Sequence, residues 1–369
     1  MLAACSEDSA TTSDGGRTKN NSLSSSADST TTTTSTVIAT TTPSTAPPTT
    51  AVAAPGGAGQ NLSGQNYKNQ DLSGANFTGA NLSGANLRGA NLQGAVLDRA
   101  NLDRSALVVA NLTGASLRRA SVRRSNLTEA ILDNADLSGA IFNYDLAGGG
   151  YSILARASLK NANVSNVNMS GVSLIEASLV GANLSNSIFT GASMKKADLT
   201  QSNLTAANFS FDQRGARLGA NPPRTPGSVS PVGTDLSEAI LIGANLTDAN
   251  AIGASFVKAD LSTARLIGAK LSADFTSAKL VRADLSRSDL RNAGLNSAIL
   301  VAATLTNASL TPMNFESTDL TGADLSGVNL SRSTGNKAIF AGADLTNTGI
   351  NTGAFRASDF TGASLDGAR

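Results

Sequence analysis

Large apolar residues recur at every fifth position over most of the chain, beginning at residue 62. The stretch ANLSGANLRGANLQGA, residues 80–95, repeats one unit three times, and the large residue of each unit is called its centre here. Ala stands two positions before the centre, Asn or Asp directly before it, and two small or polar residues follow it. The centres form four runs of 17, 12, 8 and 19 units, which span residues 62–142, 154–209, 236–271 and 275–365.

A period of five favours a coil of short extended walls. Residues two apart in extended backbone face the same side, so Ala and the centre point inward and the Asn or Asp between them points outward. The two following residues turn the chain, and Gly, which is frequent there, supplies the positive φ of a type II turn. A helix is excluded because Gly at every turn would cost about 1 kcal/mol each.

A four-sided coil brings residue i over residue i+20, and the sequence supports that stacking. One predicted column consists of Leu285, Leu305, Leu325, Leu345 and Leu365. In a second column, from Phe275 to Phe355, Gly335 stands where a large side chain is expected. We expect the rings of Phe315 and Phe355 to take up part of that gap.

The tandem unit A-[ND]-L-x-x resembles the pentapeptide-repeat proteins over about 300 residues, from Gln60 to the C-terminus. The resemblance implies an all-β fold, a right-handed quadrilateral β-helix with four units to a coil. The 56 units then give about 14 coils and, at about 4.8 Å per coil, a rod of roughly 65 to 70 Å.

Composition divides the chain into four segments. Residues 1–59 are rich in Ser, Thr, Ala, Pro and Gly and cannot bury enough apolar surface to fold, which predicts a disordered tether. Residues 60–211 and 235–369 are predicted as two parts of the β-helix. Residues 212–234 lie between them and contain four prolines, which predicts an external loop because proline cannot donate to a strand ladder.

The one cysteine of the chain, Cys5, ends the sequence Leu2-Ala3-Ala4-Cys5, which resembles the lipobox of bacterial lipoproteins. That resemblance implies lipidation of Cys5 and an extracytoplasmic, membrane-anchored protein. Only four residues precede Cys5, so the charged and apolar parts of a secretion signal are missing. The alternative is that the match is accidental and the protein cytoplasmic.

Candidate functional residues lie where the repeat is interrupted. The centres Leu271 and Phe275 are four apart, which predicts a tightened corner. Residues 143–152, NYDLAGGGYS, separate their flanking centres by twelve instead of ten and predict a short protrusion flanked by Tyr144 and Tyr151. The loop 212–234 is either a partner-binding loop or a tolerated insertion, and its candidate binding residues are Arg214, Arg217 and Arg224.

The chemistry of the chain argues against an enzyme. It has no histidine and a single cysteine, which excludes triads that use His and zinc sites that use His. The carboxylates of the repeat point outward from open faces, and no cofactor or metal is predicted. The arginine-rich stretch SLRRASVRRS, residues 116–125, is interpreted as a solvated ladder rather than a binding patch, because Asp98 falls beneath Arg118 and Asp103 beneath Arg123.

Two non-enzymatic functions remain. The first is a structural or protein-interaction rod that binds proteins or envelope polymers, with a lipid anchor at Cys5. The second is DNA mimicry, which the resemblance implies because gyrase-protecting members of the family imitate DNA. Residues 60–369 carry 26 Lys and Arg against 23 Asp and Glu, the wrong sign for a DNA mimic. A dimerising C-terminal helix is also missing before Arg369, so unpaired strand edges predict weak end-to-end self-association instead.

Overall fold

The computed structural model describes residues 56–142, 150–210 and 233–369. Over most of these ranges the outward residue of one unit pairs in parallel with the outward residue one coil later, as Asn61 does with Asn81. Most pairings are single bridges. Two short strands stand out, β1 (Thr334–Asn336) and β2 (Ala354–Arg356), which pair in parallel with Gly335 opposite Phe355. The fold is therefore the right-handed β-helix that the sequence predicted.

Four units complete one coil and give it four faces. Each face is named by its first centre: face 1 from Leu62, face 2 from Tyr67, face 3 from Leu72 and face 4 from Phe77. The turn that leads from face 1 to face 2 is called the 1–2 corner, and the other three corners are named in the same way.

The interior is filled by the centres and by the Ala two positions before them. Leu82, Leu102 and Ala100 are all fully buried, as are nearly all equivalent positions between Leu72 and Leu345. Each buried Leu contributes roughly 1.5 to 3 kcal/mol. Aromatic centres on adjacent coils stack face to face, with ring centroids 4.8 Å apart for Phe256 and Phe275. The core is thus one continuous column of side chains rather than a rounded interior.

Most corners are closed by the same hydrogen bonds. The carbonyl of a centre accepts from the N–H three residues later, as Leu72 does from Ala75 at 3.1 Å. The second corner residue has a positive φ, for example 64° at Gly74, as the type II turn predicted. The outward Asn supports the corner, because the Asn81 side-chain oxygen accepts from the Ser83 N–H at 3.2 Å. This explains why Asn or Asp precedes the centre.

The gap at Gly335 is filled as predicted. A side chain at Gly335 would meet the ring of Phe355 at 2.8 Å. The rings of Phe315 and Phe355 lie two coils apart, yet their centroids are only 6.4 Å from each other. Two coil spacings would be about 9.6 Å, so the rings lean toward each other across the glycine.

Several predicted features fall outside the described residues: Cys5, the tether to residue 55, Tyr144, and the arginines Arg214, Arg217 and Arg224. The division into four segments stays a prediction for the same reason. Within the described ranges, no helix is long and apolar enough to span a bilayer. At the last coil Leu365 is 47% exposed, and the predicted self-association at this end also stays a prediction.

Candidate interaction edge and arginine belt

The first interruption of the repeat is an insertion at a single 1–2 corner. Ile153 pairs with Asn126, 27 residues earlier instead of 20, so the face 1 unit of Phe142 is followed directly by the face 2 unit of Leu154. The sequence interpretation of twelve residues in place of ten was wrong, because twelve stand in place of five. No unit of the coil is skipped, and seven residues are added at the corner.

Ser152 belongs to the coil and not to the protrusion. It is fully buried at the position that Ala usually occupies, and its hydroxyl donates to the carbonyls of Val122 at 2.7 Å and Phe142 at 3.3 Å. Tyr151 lies half-buried just outside, with its ring against Gly171 on the next 1–2 corner. The predicted protrusion therefore ends one residue earlier than the sequence indicated.

The second interruption lies at the same corner three coils later. Asp235 pairs with Ser193, 42 residues earlier, so the chain gains 22 residues between Phe209 on face 1 and Leu236 on face 2. Thr234 is fully buried, and its hydroxyl donates to the carbonyls of Phe189 at 2.6 Å and Phe209 at 3.0 Å. Thr234 is therefore part of the coil, and the predicted loop 212–234 extends too far at this end.

The shortened unit also lies at a 1–2 corner. Asp274 pairs with Ser255, only 19 residues earlier, and the Ala273 N–H donates to the Leu271 carbonyl at 2.6 Å. That bond spans two residues instead of three, which is the tighter corner that the sequence predicted. Two coils further on, a cis peptide bond joins Thr311 and Pro312 at the same corner.

All three changes of repeat length thus fall on one edge, while the 2–3, 3–4 and 4–1 corners keep five-residue spacing throughout the described ranges. From Phe142 to Leu271 this edge covers five coils, about 24 Å of the stack. We call it the interaction edge. Sequence reasoning found the interruptions but missed their alignment.

A second feature lies between residues 98 and 124, on the 4–1 and 1–2 corners that flank face 1. We call it the arginine belt. It contains Arg99, Arg104, Arg118, Arg119, Arg123 and Arg124, together with Asp98 and Asp103. On the same face, residues 78–84 and 138–142 carry no charge. The belt is therefore an isolated positive band on two adjacent coils.

The two aspartates of the belt are used differently. Asp98 forms the predicted stacked pair, with its Oδ2 accepting from Arg118 Nη2 at 2.6 Å. Burial alone would raise the pKa of Asp98, but the hydrogen bonds from Arg118 and Ser116 outweigh it and hold that pKa below the ordinary value. Asp103 lies beneath Arg123 as predicted, but it accepts from the main-chain N–H at 3.0 Å and from the Ser121 hydroxyl at 2.6 Å.

Neither feature resembles a catalytic centre. In the described part of the chain, no three His, Cys, Asp or Glu residues are grouped so that they could hold a metal ion. The pKa values of Asp71 and Asp344 are also lowered, because the side chains of Ser73 and Thr346 donate hydrogen bonds to them at the corners. These two carboxylates therefore stabilise turns.

Comparison with known proteins identifies the repeat. The model of the pentapeptide repeats family matches in eight copies, over residues 71–107, 105–143, 152–191, 189–211, 232–268, 271–311 and 314–348. A search of curated proteins found no significant match.

Solved structures of pentapeptide-repeat proteins match this chain, although their TM-scores are low. HetL from Nostoc sp. strain PCC 7120, involved in heterocyst differentiation regulation, is 27% identical over 68% of this chain and 89% of its own, with a TM-score of 0.20. QnrB1, a plasmid-mediated fluoroquinolone resistance protein, is 16% identical over 72% and 92%, with a TM-score of 0.30. Rfr23 from Cyanothece 51142 is 22% identical over 47% and 90%, with a TM-score of 0.17.

Proposed function

The chain belongs to the pentapeptide repeat family, and from that premise we propose that it is a non-catalytic scaffold that binds a partner protein along the interaction edge. The observation that carries this proposal is the alignment of all three changes of repeat length on the 1–2 corner. The other three corners keep a uniform repeat length, so their backbone offers a partner little to distinguish one coil from another. Irregular segments on a rigid scaffold are where recognition residues are commonly found.

The anchoring of the two insertions supports this role. At each re-entry point a buried hydroxyl, from Ser152 or Thr234, holds the returning chain to the carbonyls of face 1. Pairing then resumes at once, with Ile153 and Asp235 in register. The described coil therefore keeps its register on either side of each insertion, which lets the insertions vary in sequence while the scaffold stays intact. Arg214, Arg217 and Arg224 in the second insertion are the proposed contact residues, with Tyr144 and Tyr151 as a secondary contact.

Deleting residues 211–232 tests the proposal cleanly. The deletion joins Phe209-Ser210 to Gly233-Thr234-Asp235-Leu236, which restores a five-residue unit with Gly at the positive-φ corner position. We expect an unchanged melting temperature and loss of the partner, measured by crosslinking and mass spectrometry in the native host.

A full-length variant in which Arg214, Arg217 and Arg224 are changed to Ser separates charge from loop length. As a second test at the same edge, deletion of residues 144–150 with Tyr151→Gly removes the proposed secondary contact and restores the first insertion to a regular corner. If the same partner were captured by wild type and by both deletion variants, with the stack intact, the interaction edge would not be the binding surface.

We place the scaffold outside the cytoplasm, anchored through a lipid on Cys5, on the strength of the sequence Leu2-Ala3-Ala4-Cys5. Mass spectrometry of the N-terminal peptide from fractionated host cells tests this placement, and the expected result is a diacylglyceryl-modified Cys5 in the envelope fraction. An unmodified peptide in the cytoplasm would contradict it. That outcome would favour the alternative, a DNA-mimic protector or inhibitor of a type II topoisomerase, which the net positive charge of residues 60–369 otherwise opposes.

A further inference from the structure

The arginine belt holds more positive charge than its own aspartates neutralise. Arg118 is paired with Asp98, whereas the carboxylate of Asp103 is turned to a main-chain N–H and a serine hydroxyl. Within the described residues, the guanidinium groups of Arg104, Arg123 and Arg124 form no ion pair. Arg104 and Arg124 occupy the same corner position on adjacent coils, so two like charges are attached about 4.8 Å apart along the stack.

These three arginines surround a surface pocket of about 230 Å³. Its lining is Ser83, Asn101, Asp103, Arg104, Arg123 and Arg124. Besides the guanidinium groups, the Ser83 hydroxyl can donate a hydrogen bond into the pocket. The Asn101 amide already donates to Asn81 Oδ1 at 3.3 Å, and its second N–H is left as a further donor. The lining carries three positive charges and one negative charge, so it favours an anionic ligand over a neutral or cationic one.

One donor at this pocket lacks a partner. The Nε of Arg124 is buried and, in the described part of the chain, makes no hydrogen bond. A buried donor of a charged group that stays unpaired is costly, and a reorientation of the guanidinium that exposed Nε to the pocket would let Nε and Nη donate together to one ligand. This arrangement distinguishes Arg124 from a merely solvated arginine.

We infer that the pocket binds a phosphate group, held between Arg104, Arg123 and Arg124 with Ser83 and Asn101 as additional donors. The planar guanidinium group can donate two hydrogen bonds to two oxygens of one phosphate. Arginines stacked on adjacent coils can bind the same phosphate together. Asp103 opposes the anion, but its Oδ1 already accepts two hydrogen bonds and its single charge is outweighed. The site lies one coil before the first insertion of the interaction edge, and it does not depend on the scaffold proposal.

Titration calorimetry with inorganic phosphate at constant ionic strength tests the site on the full chain. The variant Arg104→Gln/Arg124→Gln should bind phosphate about tenfold or more weakly than wild type, because two charge-assisted contacts are lost. The matched control is Arg282→Gln/Arg287→Gln, which makes the same change of charge at exposed positive-φ corner positions elsewhere. The control should bind like wild type.

A vesicle experiment distinguishes a free phosphate from a lipid headgroup. Sedimentation with phosphatidylcholine vesicles, with and without phosphatidylglycerol, is compared for the same three proteins. Retention by the anionic vesicles that is lost only in Arg104→Gln/Arg124→Gln supports the site and assigns it a headgroup. Phosphate binding without retention supports the site for a soluble phosphate. Absence of both, or equal binding by that variant and the control, would overturn the proposal.

Discussion

Leu305→Asp is expected to unfold the stack locally around its own coil. Leu305 is fully buried on face 4, and its neighbours one coil away in the same column, Leu285 and Leu325, are fully buried as well. The substitution removes about 1.5 to 3 kcal/mol of apolar burial and places a carboxylate among leucines with no cation to pair with. A cost above about 4 kcal/mol is expected for such a change.

The loss should be localised, because each coil contacts only its neighbours. Hydrogen exchange should report loss of protection around the Leu285 and Leu325 coils, and urea unfolding followed by circular dichroism should give the overall cost. Thr306→Asp is the matched control, since it introduces the same side chain at a corner position where the chain already carries Asp98, Asp103 and Asp133. If Leu305→Asp melted like wild type, the assignment of inward and outward positions would be wrong.

The fold could be predicted from sequence because the residue types of each unit indicate which positions face inward, face outward or form the corner. Ala and the centre mark the inside, Asn or Asp the outside, and Gly the corner, so one unit such as that of Leu82 specifies the rest. The pairing of residue i with i+20 followed from four equal sides, and it placed Asp98 beneath Arg118 correctly. Local rules sufficed because nearly all contacts of a coil are with the next coil.

The candidate sites could be located only from the observed pairing between coils. Spacing alone left open whether the first insertion skipped a unit, and only the bridge between Asn126 and Ile153 fixes its corner. The buried hydroxyls of Ser152 and Thr234 carried no distinguishing signal, since Ser or Thr also replaces the usual Ala at regular corners, as at Ser125 and Thr318. The unpaired Nε of Arg124 carried no such signal, because its burial depends on how a long side chain lies across the corner.

Phe340→Ala is expected to loosen the last coils. The Phe340 ring is fully buried and meets three other rings, with centroids 5.9 Å from Phe315, 5.5 Å from Phe355 and 4.8 Å from Phe360. Gly335 is the reason for this density, because Phe355 leans into the space above the glycine and its ring stands perpendicular to that of Phe340. Removing a ring at the centre of the cluster leaves a cavity, and a loss of about 3 to 5 kcal/mol is expected.

Two control variants test whether the central position of Phe340 in the ring cluster sets the cost. Phe340→Leu installs the usual centre residue and should cost much less than Phe340→Ala, because most of the volume is kept. Phe360→Ala makes the same truncation at a half-buried ring and should also cost less. Urea unfolding gives the cost, and hydrogen exchange should show the loss of protection concentrated after residue 314. Equal destabilisation by Phe340→Ala and Phe360→Ala would mean that a ring at the centre of the cluster contributes no more than a ring at its margin, which would contradict the prediction.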